Sequence, residues 1–241
     1  MSLTVVAAAR THVGLVRRRN EDAFYCGRSL FAVADGLGGH VAGDLASNTV
    51  IDALRSYDEE TAAADLLTVL GRMVFSANQA LLEKVEAEPE SAGMGTTLVA
   101  MLVSGPMAAL ANVGDSRAYL LRDGDTADGK PEMIPITEDH IYGNLVSDAY
   151  DVPNLPPRLS RFLDGRADGR SPDLNIREMQ AGDRFLLCSD GLSAVVPPDL
   201  MREALCSSTD PGDVADHLVS LAIDHGGPDN ITVIVVDVHA G

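Results

Sequence analysis

No apolar run in the chain reaches the roughly 18 residues that a membrane span requires. Met1 to Arg10 lacks the charged start and long apolar centre of a signal peptide. Both absences lead us to expect a cytoplasmic protein that does not engage membranes. Cysteine is scarce: Cys26, Cys188 and Cys206 are odd in number and show no C-x-x-C spacing, which argues against a disulfide framework and suits a reducing compartment. Basic residues are few, 18 Lys and Arg against 36 Asp and Glu, for a formal charge of -18. That deficit argues against nucleic-acid partners, whose binding is driven by Lys and Arg meeting phosphate. It does not exclude phosphorylated substrates, because bound divalent ions invert the local sign of the potential.

Several catalytic signatures are missing as well. The six histidines, at 12, 40, 140, 217, 225 and 239, form no H-E-x-x-H and no pair at ligand spacing. His40 draws the most attention, because it lies in a glycine turn. The chain has no G-x-S-x-G and no G-x-x-x-x-G-K, and Gly36-x-Gly38 lacks the third glycine of a dinucleotide fingerprint. No internal repeat, low-complexity tract or linker divides residues 1–241, so one domain is expected, with 46% hydrophobic residues to fill its core.

The apolar patterning predicts a first strand over Leu3–Ala9 and a hairpin of Ala23–Cys26 with Leu30–Ala34. Helices are expected over Leu45–Leu54 and Asp65–Val85, where apolar residues recur at three and four. From Gly93 onward, strands to Val103, over Met107–Val113 and over Ala118–Leu121 read as a consecutive antiparallel meander. Between about 138 and 172 the periodicity weakens and Pro, Gly, Asp and Arg accumulate, as in a functional or mobile flap. Strands return at Leu174–Met179, Arg184–Ser189 and Ile231–His239, with helices over Pro198–Leu205 and Asp213–Ile223.

One stretch organises the rest. The run Phe31-Ala-Val-Ala34 stops on Asp35-Gly36, followed by Gly38 and Gly39, and an isolated Asp-Gly of this kind is ordinarily a tight turn. Here the pattern repeats: Leu186 to Ser189 runs into Asp190-Gly191, Ala109 to Val113 into Gly114-Asp115, and Asp229-Asn230 opens the run from Ile231. Carboxylates gathered at one end of a sheet repel one another and persist when cations neutralise them. An all-oxygen set without Cys or His suits hard Mg²⁺ or Mn²⁺ and fits zinc poorly. Two such ions sharing a carboxylate can turn a bridging water into hydroxide and clamp a phosphoryl group. Arg17, Arg18 and Arg19 stand beside Glu21 and Asp22; such a run is ordinarily a solvated loop, and the alternative is that one guanidinium grips phosphate.

Taken together, Gly14-Leu-Val-Arg17-x-x-Asn20-Glu21-Asp22, Ala34-Asp35-Gly36-x-Gly38-Gly39-His40, Gly93-Met-Gly-Thr-Thr97, Asn112-Val-Gly-Asp115-Ser-Arg117, Ser189-Asp190-Gly191-Leu192 and Gly226-Gly-Pro-Asp229-Asn230 resemble the metal-dependent protein serine/threonine phosphatases of the 2C type, in their compact bacterial branch. The blocks span residues 10 to 238 in the family's order. The resemblance implies an α+β fold, a four-layer αββα sandwich of two packed antiparallel sheets flanked by helices. It implies two Mn²⁺ or Mg²⁺ ions in a cleft at one edge and a third, weaker ion at Asp115. Asp35 matches the carboxylate bridging the two ions, the Gly36 carbonyl a ligand of the second, and Asp190 and Asp229 the acids holding the first. Arg17 matches the arginine that holds substrate phosphate, and Glu21 and Asp22 the acids behind the ligands, Asp22 nearest the metal waters.

The implied activity is hydrolysis of phosphoserine and phosphothreonine monoesters by in-line attack of a metal-bridging hydroxide. The implied partners are phosphorylated proteins, a Ser/Thr kinase and its substrates, met by a monomeric enzyme. Leu37 stands where eukaryotic relatives place a histidine acid, so the leaving group takes its proton elsewhere. Two other readings stay open: a non-catalytic phosphoprotein-binding regulator, and a small-molecule phosphomonoesterase on the same fold.

Overall fold

The computed structural model describes residues 2–37, 42–124, 131–142, 159–166 and 171–241. Gly38, Gly39 and His40 of the glycine turn, and most of the expected flap, lie outside the described residues.

One sheet has the strand order β1 (Leu3–His12), β11 (Ile231–Ala240), β10 (Arg184–Cys188), β7 (Arg117–Arg122) and β8 (Glu132–Pro135). The other runs β2 (Asp22–Cys26), β3 (Leu30–Leu37), β5 (Leu98–Ser104), β6 (Met107–Val113) and β9 (Asp173–Glu178), with the short β4 (Gly95–Thr96) pairing the far end of β3. All the pairings are antiparallel. Helices α1 (Ala42–Leu54) and α2 (Leu66–Ala87) cover the β2–β9 sheet; α3 (Asp190–Ser193), α4 (Pro198–Leu205) and α5 (Pro211–Asp224) cover the other.

Alternation along the strands builds these layers, because successive side chains point to opposite faces. On β3, Leu30, Ala32 and Ala34 pack against α1 and α2, while Phe31 and Val33 enter the space between the sheets. On β11, Ile231, Val233 and Val235 face the α3–α5 layer, while Ile234, Val236 and Val238 meet Phe31 and Phe185 in the middle. Both faces of each strand are covered, which is why these strands read as unbroken apolar runs. The outer helices follow the same logic: Leu66, Leu70, Met73, Val74, Ala77 and Leu81 form the buried stripe of α2. Helix α5 begins where Asp210 caps it, accepting from the Gly212 and Asp213 amides, with Pro211 in the first turn.

Three expectations are corrected. The strands from 98 to 121 do not form one meander: β5 pairs β6, but β7 lies in the other sheet between β10 and β8. The crossing is made at Gly114, whose φ of +115° suits glycine. Strand β3 runs on through Asp35 and Gly36 to Leu37, because β4 pairs its end. Residues Glu132–Pro135 form a strand that periodicity did not announce, held at the edge of its sheet by β7 alone. Among the described residues no helix is long and apolar enough to cross a membrane.

Candidate metal centre

The ends of β3 and β10, the residues leading into β11 and the corner after β6 converge at one edge of the sandwich. A cleft of about 740 Å³ opens there, lined by Asp35, Gly36, Asp115, Asp190 and Asp229, with Glu21, Leu37, Asn230 and Arg17 to Arg19 around them. Four carboxylates, from Asp35 to Asp229 along the chain, thus share one cavity.

Each acid is fixed by its backbone. The Asp35 amide donates to Thr97 Oγ1 at 3.0 Å, and its carbonyl accepts from the Thr97 amide at 2.9 Å and Thr96 Oγ1 at 2.8 Å. Gly36 must be glycine, because a Cβ there would stand 2.2 Å from the Gly43 carbonyl oxygen. That contact seats the start of α1 against the end of β3. Gly191 answers to the same constraint: a Cβ would lie 1.9 Å from the Asn230 carbonyl oxygen, so Asp190 and Asp229 can approach. Asp115 follows Gly114, where a Cβ would press 2.6 Å from Thr97 Cγ2.

Asp22 sits behind this front row, directly across from Asp35 in the β2–β3 register. Like charges directly opposite on a sheet are destabilising, and Asp22 is 8% exposed. Burial, with Asp190 and Asp229 adding to it, pushes its pKa up to about 7, although the Ser189 hydroxyl donates to Oδ2 at 2.8 Å. Burial and then Asp22 and Asp190 hold Asp35 well above the carboxylate range; burial and Asp229 raise Asp190; burial and Asp190 raise Asp115 to about 6. A cluster in which every shift points toward the protonated form lacks positive charge.

The positive charge in direct contact with these acids, among the described residues, is Arg17, whose Nη2 lies 2.6 Å from Asp229 Oδ2. Among the described residues, no three His, Cys, Asp or Glu side chains close on one point as a finished cage. The donor set still fits hard cations. All the groups are oxygens, and Asp190 Oδ1 is buried without any hydrogen-bond partner, a cost of about 1–3 kcal/mol for a neutral group and more for a charged one.

Asp35, Gly36, Asp115, Asp190, Asp229 and Arg17, the residues expected at the ions and the phosphate, all line the cleft. Of Glu21 and Asp22, expected behind them, Asp22 lies behind the cleft, whereas Glu21 lines it. Three supporting residues carried no assigned role in the sequence reading. Asn230 donates from Nδ2 to the Val13 and Arg19 carbonyls, both at 2.9 Å, and accepts from the Glu21 amide at 2.8 Å, tying down the arginine loop. Ser189 bridges Asp22 and the Thr232 amide. His140, 5% exposed, accepts from the Gly114 amide through Nδ1 at 3.1 Å and reaches Asp173 through Nε2 at 3.0 Å, bracing the Asp115 corner. Their signal was adjacency to the acid motifs, which does not reveal what a side chain bonds.

A two-sheet αββα sandwich with an all-carboxylate cleft at one edge and an arginine at its rim defines a class of metal-dependent phosphoryl-transfer proteins. Residues 16–221 match the model of the family described as protein phosphatase 2C, and the chain belongs to that family. It is 44% identical over 99% of its length to the serine/threonine protein phosphatase PstP of Mycobacterium tuberculosis, and spans about half (46%) of that relative. The serine/threonine phosphatase stp of Listeria innocua is 35% identical, with 96% of this chain and 95% of that protein covered. Among solved structures, the PstP catalytic domain in complex with two manganese ions superposes with a TM-score of 0.87 at 43% identity, covering 99% of this chain and all of that one. The phosphatase Stp1 from Staphylococcus aureus superposes at 0.86 with 30% identity, over 98% and 96% of the two chains.

Proposed function

We propose that this chain hydrolyses phosphoserine and phosphothreonine monoesters in proteins, with two Mn²⁺ or Mg²⁺ ions held in the acid cleft. The observation that carries the reading is the convergence of Asp35, Asp115, Asp190 and Asp229 on one cavity whose charge the protein itself leaves largely unneutralised. Relatives named as serine/threonine protein phosphatases, one solved with two manganese ions, support it.

In this reading Asp35, the Gly36 carbonyl, Asp190 and Asp229 would hold the two ions, and Asp115 would take a third, weaker one. Such ions supply Lewis acidity toward a phosphoryl oxygen and lower the pKa of water. The chain does the rest. Thr96 and Thr97 hold Asp35 in place through its backbone. Arg17 presents a planar fork whose present partner, Asp229, is a single carboxylate; a phosphoryl group offers it more acceptors and more charge. Glu21 beside the ligands and Asp22 behind them would offer carboxyl oxygens as acceptors to water at the ions. Leu37 has no proton to give, so the leaving alkoxide takes one from solvent. We further infer that residues 1–241 act as one catalytic domain, monomeric and cytoplasmic, on the substrates of a Ser/Thr kinase, apart from nucleic acid and membranes. A non-catalytic role is disfavoured because none of the four acids is lost.

The test is phosphate release from a phosphothreonine peptide. Turnover should require Mn²⁺ or Mg²⁺, stop with chelator and vanish in Asp35→Asn; near-normal hydrolysis by that variant with Mn²⁺ present would refute the assignment.

A further inference from the structure

Three consecutive arginines border the cleft, and the phosphate site uses one. Arg18 and Arg19 line the same cavity, are exposed, and have no ion-pair partner among the described residues, whereas Arg17 beside them is bound to Asp229. In a chain with 36 acidic and 18 basic residues, these two adjacent arginines stand at the rim of an acidic cleft with no carboxylate partner among the described residues. Their backbone is not free to wander. Asn230 Nδ2 donates to the Arg19 carbonyl and its Oδ1 accepts from the Glu21 amide, Asn20 Nδ2 donates to Thr11 Oγ1 at 2.8 Å, and the Leu15 amide donates to the Gly227 carbonyl at 2.7 Å. The loop is therefore pinned on both sides of the pair, so a ligand that engages these guanidinium groups does not have to order the main chain first.

We propose that Arg18 and Arg19 form a subsite for acidic side chains next to the phosphorylated residue, which makes acidic phosphopeptides the preferred substrates. The proposal rests on the phosphatase reading above. The chemistry is charge complementarity: a carboxylate approaching a cleft walled by aspartates is repelled, and the two arginines at its mouth supply the opposing sign on the approach. With phosphate on Arg17, acids flanking the phosphorylated residue meet Arg18 and Arg19, which border the same cavity. Because these groups are solvated, the preference is moderate and salt-sensitive.

The experiment measures kcat/KM for phosphothreonine peptides that differ only in flanking Glu, Gln or Lys, with Mn²⁺, at low and high salt. The wild type should favour the Glu peptide over the Gln peptide by about five-fold, with less discrimination at high salt. Arg18→Gln/Arg19→Gln should bring that ratio close to one, and Arg18→Glu/Arg19→Glu should turn the preference toward the Lys peptide. A ratio of two substrates on one sample is independent of the folded fraction. Equal kcat/KM for the Glu and Gln peptides in the wild type, or a preference that survives the Gln variant, overturns the subsite. Hydrolysis of the Gln peptide reads the phosphatase assignment separately. If no peptide is hydrolysed, anisotropy of the same labelled peptides still decides the subsite by their relative affinities.

Discussion

Strands β10 and β11 carry acids at both ends of the same sheet, and the two ends treat them in opposite ways. At one end Arg184 forks onto Asp237, with Nε and Nη2 at 2.5 and 2.7 Å, and its remaining donor meets the Leu205 and Ser208 carbonyls. Both side chains are buried, and every charge has its partner. At the other end Asp190 and Asp229 meet Asp35 and Asp115, and the one arginine in contact is half-exposed Arg17. The first arrangement is what a buried carboxylate requires for stability. The second forgoes that internal neutralisation, and burial and neighbouring carboxylates raise Asp35, Asp190 and Asp115. A fold that can complete one buried ion pair and leaves a neighbouring cluster short of cations marks the second end as the place where cations come from outside.

Breaking the comparison at the acid end should have the largest effect. Asp35→Asn is expected to lower Mn²⁺-dependent turnover on the order of 10³-fold or more, since several kcal/mol of charge stabilisation depend on the ions; single-turnover phosphate release measures it. At the opposite end Asp237→Ala should cost about 3–5 kcal/mol of stability in urea unfolding, because it strands a buried guanidinium, yet the folded enzyme should keep its kcat. If Asp237→Ala abolished turnover in folded protein, the two ends would not be separable in this way.

Smaller effects sharpen the contrast. Arg17→Ala should lower kcat/KM by about 10- to 100-fold, mostly through KM, as a lost charge-assisted contact to phosphate would; unchanged kinetic constants would remove Arg17 from the role. The smallest expected effect is on pH dependence without metal. Asp22 and Asp115 have folded pKa values raised to about 7 and about 6. Their contribution to stability is present below the unfolded carboxylate value near 4 and is lost as pH climbs through the folded values, so with chelator the Tm should fall between about pH 4 and pH 7. Mn²⁺ should raise the Tm more at about pH 8 than at about pH 5, because it binds the deprotonated acids. Calorimetry with and without the ion distinguishes this from a pH effect elsewhere.

Much of the fold was legible because both faces of the inner strands are buried, so Phe31 to Ala34, Leu186 to Cys188 and Ile231 to Val238 stand out as apolar blocks with an acid just beyond one end. The extents of β6 and α4 were read to the residue for the same reason: a turn at Gly105-Pro106 and a proline at Pro198 punctuate them. The path of the chain after Gly114 was not legible. A glycine turn looks the same whether the next strand returns to its own sheet or crosses to the other, and only the pairing of β7 with β10 decides it. Glu132–Pro135 escaped notice because a four-residue edge strand has too few positions for a period to show.

What the sequence determined by itself was the inventory of the cleft: which acids stand at the ends of buried strands. Local spacing fixes such things, since a strand's side-chain alternation and a glycine's tolerance for close approach are properties of a few consecutive residues. Tertiary structure alone decided that burial raises Asp22 to a pKa near 7, that Asn230 and Ser189 tie the cleft walls together, and that Arg17 pairs with Asp229. Those facts depend on distances between residues far apart in the chain and on how much solvent is removed around them, and neither quantity exists until the two sheets have packed.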